Sequence, residues 1–233
     1  MSRTTPDPAP VVLLDLGPVA QLRAGRLGRR LVQLFLGLLV YGLSLALMVE
    51  GALGVAPWDV MHLAITRYVP LTLGQVVIVA SFVVLLAWIP LREKPGLGTV
   101  ANAFVVGLST DAALAVLPTP DSLTLRIAFV VLGVVLNAVA TAFYIGAQLG
   151  RGPRDGLMTG LARRTGASLR LVRTSLEVSV VAAGLALGGR LGAEVGAGTV
   201  LYALAIGPLA QAFLPWALVH LPAPDPVEVG IDG

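Results

Sequence analysis

The chain contains no cysteine, and only 12% of its 233 residues are charged, about half the roughly 25% usual in a soluble domain. Without cysteine there is no disulfide, no thiolate nucleophile and no Cys-ligated metal. Two histidines, His62 and His220, stand far apart in sequence and cannot supply a metal cluster. Neither GxSxG nor HExxH occurs, so neither a catalytic residue, a cofactor nor a metal is expected, and the chain reads as a non-enzyme. Scarce charge combined with 56% hydrophobic residues and a mean hydropathy of +0.87 excludes an ordinary soluble domain. It equally excludes a disordered chain, which fails to fold through the opposite composition. The net charge of +3 does not point to nucleic acid, because the sixteen basic residues lie between long apolar runs, as in membrane proteins.

Those runs are what the sequence does contain. A helix needs roughly 20 mostly apolar residues to cross a hydrocarbon core of about 30 Å. Six stretches qualify, near residues 31–53, 71–91, 98–117, 127–149, 171–188 and 198–219. The expected fold is therefore an all-α polytopic membrane protein with the lipid bilayer as its partner. Residues 1–30 form an N-terminal arm whose apolar run over 11–16 is too short for a signal peptide. Residues 220–233 place Asp225, Glu228 and Asp232 among prolines and read as a flexible acidic tail. With six spans and a cytoplasmic N-terminus, thirteen of the sixteen Lys and Arg fall on the cytoplasmic side, which leaves Arg67, Arg126 and Arg190 outside. That split favours the bacterial inner membrane with both termini cytoplasmic.

The chain also repeats itself. At an offset of 96, Gly37 meets Gly133, Leu53-Gly54 meets Leu149-Gly150, Pro57 meets Pro153 and Asp59 meets Asp155. At an offset of 100, the GLGTV at 96–100 meets the GAGTV at 196–200, and Gly107 meets Gly207. The repeats run over 31–118 and 126–219, three spans each. An odd number of spans inverts the second copy, a frequent plan in secondary transporters. The Gly-rich GLGT and GAGT lack the following Lys and the preceding strand of a phosphate loop, so nucleotide binding is not expected.

GVAPWDVM at 54–61, GLGTVANAFVVG at 96–107, GRGPRDGLM at 150–158 and LVRTSLEV at 171–178, in that order, resemble the YczE/YyaS/YitT-type bacterial integral membrane proteins. The resemblance runs from residue 31 to about 215 and implies a polytopic inner-membrane protein. It implies no catalytic assignment.

After the first span of each repeat comes a segment too short to cross, opened by Pro57 or Pro153. Proline suits the first helical position, and Asp59 or Asp155 two residues later is expected to accept first-turn N–H groups. Each segment is either a half-helix dipping toward the midplane, with its N-terminus at a site, or an interfacial helix anchored by Trp58 or by arginines. Ionisable groups at bilayer depth are costly and mark function by default. Asp111, with its repeat mate Gln211, is one. Glu177, one turn after Arg173, is another. Asn137, whose mate is Tyr41, lies near the middle of the fourth span. Glu50 is expected at the outer surface, and the arginines at 151, 154, 163 and 164 serve orientation first. Glu50, Asp59 and His62 are the one set that could meet as a hydrolytic site, but a His beside an Asp at a helix end reads as a hydrogen-bonded pair.

The sequence thus favours a small-solute or ion transporter with a site between the repeats, drawn from Asp59, Asp111, Asn137, Asp155, Arg173 and Glu177. The carboxylates would bind a coupling ion or proton, with Arg173 as their counter-charge. A non-transporting scaffold or regulator acting through protein partners is the competing expectation, and a homo-oligomer is compatible with either.

Overall fold

A computed structural model describes residue 13 and residues 16–192 and 194–221. The tail expected over 220–233 lies almost wholly outside the described residues, as does the first half of the arm. Among the described residues the regular structure is helical, apart from a single bridge between Leu191 and Val195. The helices are α1 (Pro18–Arg23), α2 (Leu27–Gly51), α3 (Pro57–Ile65), α4 (Leu73–Leu91), α5 (Leu97–Leu114), α6 (Leu123–Gly146), α7 (Pro153–Thr165), α8 (Leu169–Ala186) and α9 (Ala197–Ala217). Ser and Thr open several of them: Thr72 caps α4, Ser122 caps α6 and Ser168 caps α8 by accepting an amide N–H in the first turn.

Five helices, α2, α4, α5, α6 and α9, are long and apolar enough to cross a bilayer. The other stretch expected to cross, now α8, has 18 residues but carries Arg170, Arg173 and Glu177, which lower its apolarity. The ends shift by a few residues for local reasons. The first span starts at Leu27 rather than 31, because Arg30 is fully buried and has internal work. Its Nε donates to Ala147 O at 2.8 Å and its Nη2 to Gln148 O at 2.6 Å. These are carbonyls at the end of α6, left without helical partners where the chain turns through Gln148 (φ 53°) and Gly150 (φ 122°). Arg126, 96 positions later, does the same for α2: Nε donates to Gly51 O at 2.9 Å and Nη2 to Ala52 O at 2.5 Å, beside a turn through Ala52 (φ 47°) and Gly54 (φ 118°).

The exchange continues at the next motif. Gly98 N donates to Leu149 O at 2.6 Å, and Gly198 N donates to Leu53 O at 2.8 Å. α2 and α6 cross at the centre; α5 packs on α2, and α9 on α6. The short helices cross over, with α3 lying on α8 and α7 on α4. One pair differs. α4 and α5 close tightly: Gly74 and Gly107 leave no room for a side chain between them, and the Phe82 and Phe104 rings meet edge-on at 5.1 Å. α8 and α9 stand apart. The nearest atom to a Cβ placed at Gly207 is Arg173 Nη1 at 3.8 Å, and Val178 and Leu204, at the positions matching the two phenylalanines, are 62% and 72% exposed.

Candidate functional site

The cross-packing brings the N-termini of α3 and α7 together. Each starts at a proline after an extended residue, Ala56 or Gly152, whose side chain offers no cap. Asp59 and Asp155 do not supply the missing cap either, contrary to the expectation from spacing. Asp59 Oδ1 accepts from His62 Nδ1 at 3.0 Å, and Asp155 accepts from the Tyr144 hydroxyl. A carboxylate this buried takes a side-chain donor in reach, while the Asp59 and Val60 amides close on Ala56 O and the Gly156 amide on Gly152 O.

Each short helix is seated by one glycine. A Cβ at Gly156 would lie 2.0 Å from the Trp88 ring, whose Nε1 donates to Pro153 O at 3.0 Å and so fixes the start of α7. On the other side the sizes reverse: Gly184 of α8 accepts Val60 of α3, and a Cβ there would be 2.8 Å from the Val60 and Met61 backbone.

Between the two N-termini lies a cavity of about 240 Å³. Trp58 and Arg154, the second residues of the two helices, meet in its wall with the Arg154 guanidinium 5.1 Å above the Trp58 ring. Arg173 and Glu177 enter from α8, joined by an ion pair at 2.8 Å. Asp155 lies in the same wall. Asp59 sits one layer behind, its Oδ1 3.7 Å from Arg154 Nη2. Asp59 and His62 are each 1% exposed, and among the described residues Asp59 Oδ2, His62 Nε2 and Trp58 Nε1 are buried without a hydrogen-bond partner. Burial holds the His62 imidazole below its ordinary pKa, an effect that outweighs the Asp59 hydrogen bond. Burial also raises the Asp155 carboxyl, partly offset by the Tyr144 hydroxyl. A second cavity, of about 340 Å³, adjoins the first through Ile145, Asp155, Met158 and Arg173, and reaches Arg151 and Leu169.

Of the six residues expected at a site, Asp155, Arg173 and Glu177 line the cavity and Asp59 backs it. Asn137 is deeper: Nδ2 donates to Ser44 Oγ at 2.8 Å, and Oδ1 accepts from the Tyr202 hydroxyl at 3.1 Å, which ties α2, α6 and α9 together. Asp111 is elsewhere. Its carboxylate accepts from Gly74 N at 2.7 Å and from Thr72 Oγ1 at 2.5 Å, so it serves the positive start of α4 rather than the cavity. Glu50 accepts from Thr119 Oγ1 at 2.5 Å, and the set Glu50, Asp59 and His62 does not assemble. Arg154 and the tyrosines at 144 and 202 are the site residues that sequence reasoning passed over. Trp58 and Arg154 being 96 apart was the available signal: matching positions that face each other line a shared wall.

The family described as "Family of unknown function (DUF6198)" matches residues 28–215. The chain is 39% identical over 181 residues to an uncharacterized protein of Haemophilus influenzae, covering 78% of this chain and 81% of that one. It is 32% identical over 186 residues to the uncharacterized membrane protein YczE of Bacillus subtilis (79% and 85%), and 27% identical over 187 residues to the uncharacterized protein YyaS of the same organism (77% and 90%). No solved structure matches.

Proposed function

From the premise that the chain belongs to the DUF6198 family and is an integral membrane protein, we propose that it is a small-solute or ion transporter of the bacterial inner membrane. Its binding site lies between two inverted three-helix repeats. The observation that carries this reading is the cavity between the opposed N-termini of α3 and α7, which adjoins a second cavity on the arginine-rich side. Discontinuous helices at matching places in two halves are a frequent construction of a transport site, with the helix N-termini pointing at the ligand.

On this reading α8 is the sixth span. At about 1.5 Å per residue its 18 residues reach nearly as far as α4, and two of the three charges that lower its apolarity, Arg173 and Glu177, turn to the cavity instead of to lipid. Six spans put both termini on the cytoplasmic side, in keeping with the arginines at 151, 163, 164 and 170. The closed α4–α5 pair then seals the outer side, while the parted α8–α9 pair leaves the inner side open.

Orientation provides the test. In this cysteine-free chain every introduced thiol is unique. Pro70, after α3, and Thr165, the last residue of α7, are both exposed. Pro70→Cys is expected to react with an impermeant maleimide in intact cells, and Thr165→Cys only after permeabilisation. Reaction of both from the same side removes the inversion and the transport reading with it.

A further inference from the structure

The cavity contains donors that nothing in the fold uses. A guanidinium carries five N–H groups. Among the described residues Arg154 meets the face of Trp58 at 5.1 Å and one Asp59 oxygen at 3.7 Å, the latter beyond hydrogen-bonding distance. Trp58 is 7% exposed and lines the cavity, and its Nε1–H is buried without a partner. A buried indole N–H ordinarily finds an acceptor. The Asp59 and Val60 amides of the first turn of α3 are engaged by Ala56 O, so that turn adds only the positive end of the helix. By contrast, the two carboxylates in the wall already have donors, Asp155 in the Tyr144 hydroxyl and Glu177 in Arg173.

We propose that the ligand is a small organic carboxylate, bound through its two oxygens by the Arg154 guanidinium and the Trp58 indole N–H, with its apolar body against Val77, Val106 and Ile206. On the transport reading above, on which its role as cargo rests, this is the transported solute. A planar fork of donors matches a carboxylate. A cation would meet Arg154, Arg173 and two positive helix ends. A polyanion would meet the Asp155 and Glu177 carboxylates in the same wall. The volume of about 240 Å³ equals roughly eight waters at about 30 Å³ each, which sets the size to compounds such as butyrate or benzoate.

The test measures equilibrium binding to the full chain in lipid nanodiscs, with benzoate, benzamide, benzylamine and inorganic phosphate as probes. Benzoate is expected to bind saturably, and the other three at least about tenfold more weakly, since charge-assisted hydrogen bonds are lost or mismatched. Arg154→Lys keeps the charge facing Asp59 but loses the fork, and should weaken benzoate about tenfold. Trp58→Phe keeps the ring beneath Arg154, removes only the N–H, and should weaken benzoate about fivefold. Unchanged melting of the free variants separates these effects from misfolding. Benzamide, benzylamine or phosphate binding as tightly as benzoate overturns the proposal, as does benzoate binding that neither variant alters. Uptake of labelled benzoate into proteoliposomes is read separately: binding without uptake sinks transport and leaves the site standing, whereas uptake of a different solute without carboxylate binding does the reverse.

Discussion

His62 shows how a residue's surroundings decide its chemistry. Its imidazole is buried against Asp59 Oδ1, the same oxygen that Arg154 faces, and burial lowers its pKa below the ordinary 6.5. Below about 6.5 the unfolded chain therefore takes up a proton that the folded chain refuses, and stability is lost as the pH falls. Thermal melting of wild type and His62→Gln from about pH 8 to about pH 5 should show the wild type losing stability the more steeply on acidification. Asp155, raised by burial, contributes with the opposite sign in both proteins and cancels from the difference. A wild type that gains on His62→Gln as the pH falls would mean that the Asp59 carboxylate, not burial, governs the imidazole. Asp111 teaches the converse. In sequence it looked like an intramembrane carboxylate with a functional role, yet two hydrogen bonds at the start of α4 account for it.

At the scale of elements, the two short helices were legible because proline, aspartate and their spacing recur, and proline at a first helical position has a mechanism. What they do with their aspartates was not legible, because the competing donors, His62 and Tyr144, come from geometry. Their seating was hidden as well. In one half a glycine on the short helix faces a tryptophan; in the other a valine on the short helix faces a glycine. Gly156→Val should therefore overpack against Trp88 and cost about 1–3 kcal/mol in unfolding. Adding Trp88→Gly, which copies the Val60–Gly184 arrangement, should recover part of that loss, although the bond to Pro153 O is gone. Two substitutions that simply add would show that the contacts are independent. The paired clamps are of the same kind. Arg30 and Arg126 counted in sequence as orientation charges on opposite sides, yet each guanidinium closes the end of the other half's first helix.

For the whole molecule, the difference between the α4–α5 and α8–α9 pairs is the feature with consequences for motion. If matching halves exchange conformations, the open pair must be able to close as Phe82 and Phe104 do. Spin labels at Val178→Cys and Leu204→Cys, both exposed, should report two distance populations in nanodiscs, with the shorter one growing when benzoate is added. A single distance that benzoate leaves unchanged would remove alternating access, because a ligand shifts only states it binds unequally.

Composition and hydropathy settled by themselves that the chain lives in a bilayer and roughly where five of its long apolar helices run, because transfer of apolar segments depends on local sequence alone. The repeat offsets likewise marked which positions correspond. Only the tertiary structure decided that corresponding positions face each other across a cavity, that Asp111 and Asn137 are spent on helix starts and helix joints, and that Arg154 and Trp58 hold unused donors. Those outcomes depend on which side chains reach one another first, a competition among distant segments that no local pattern records.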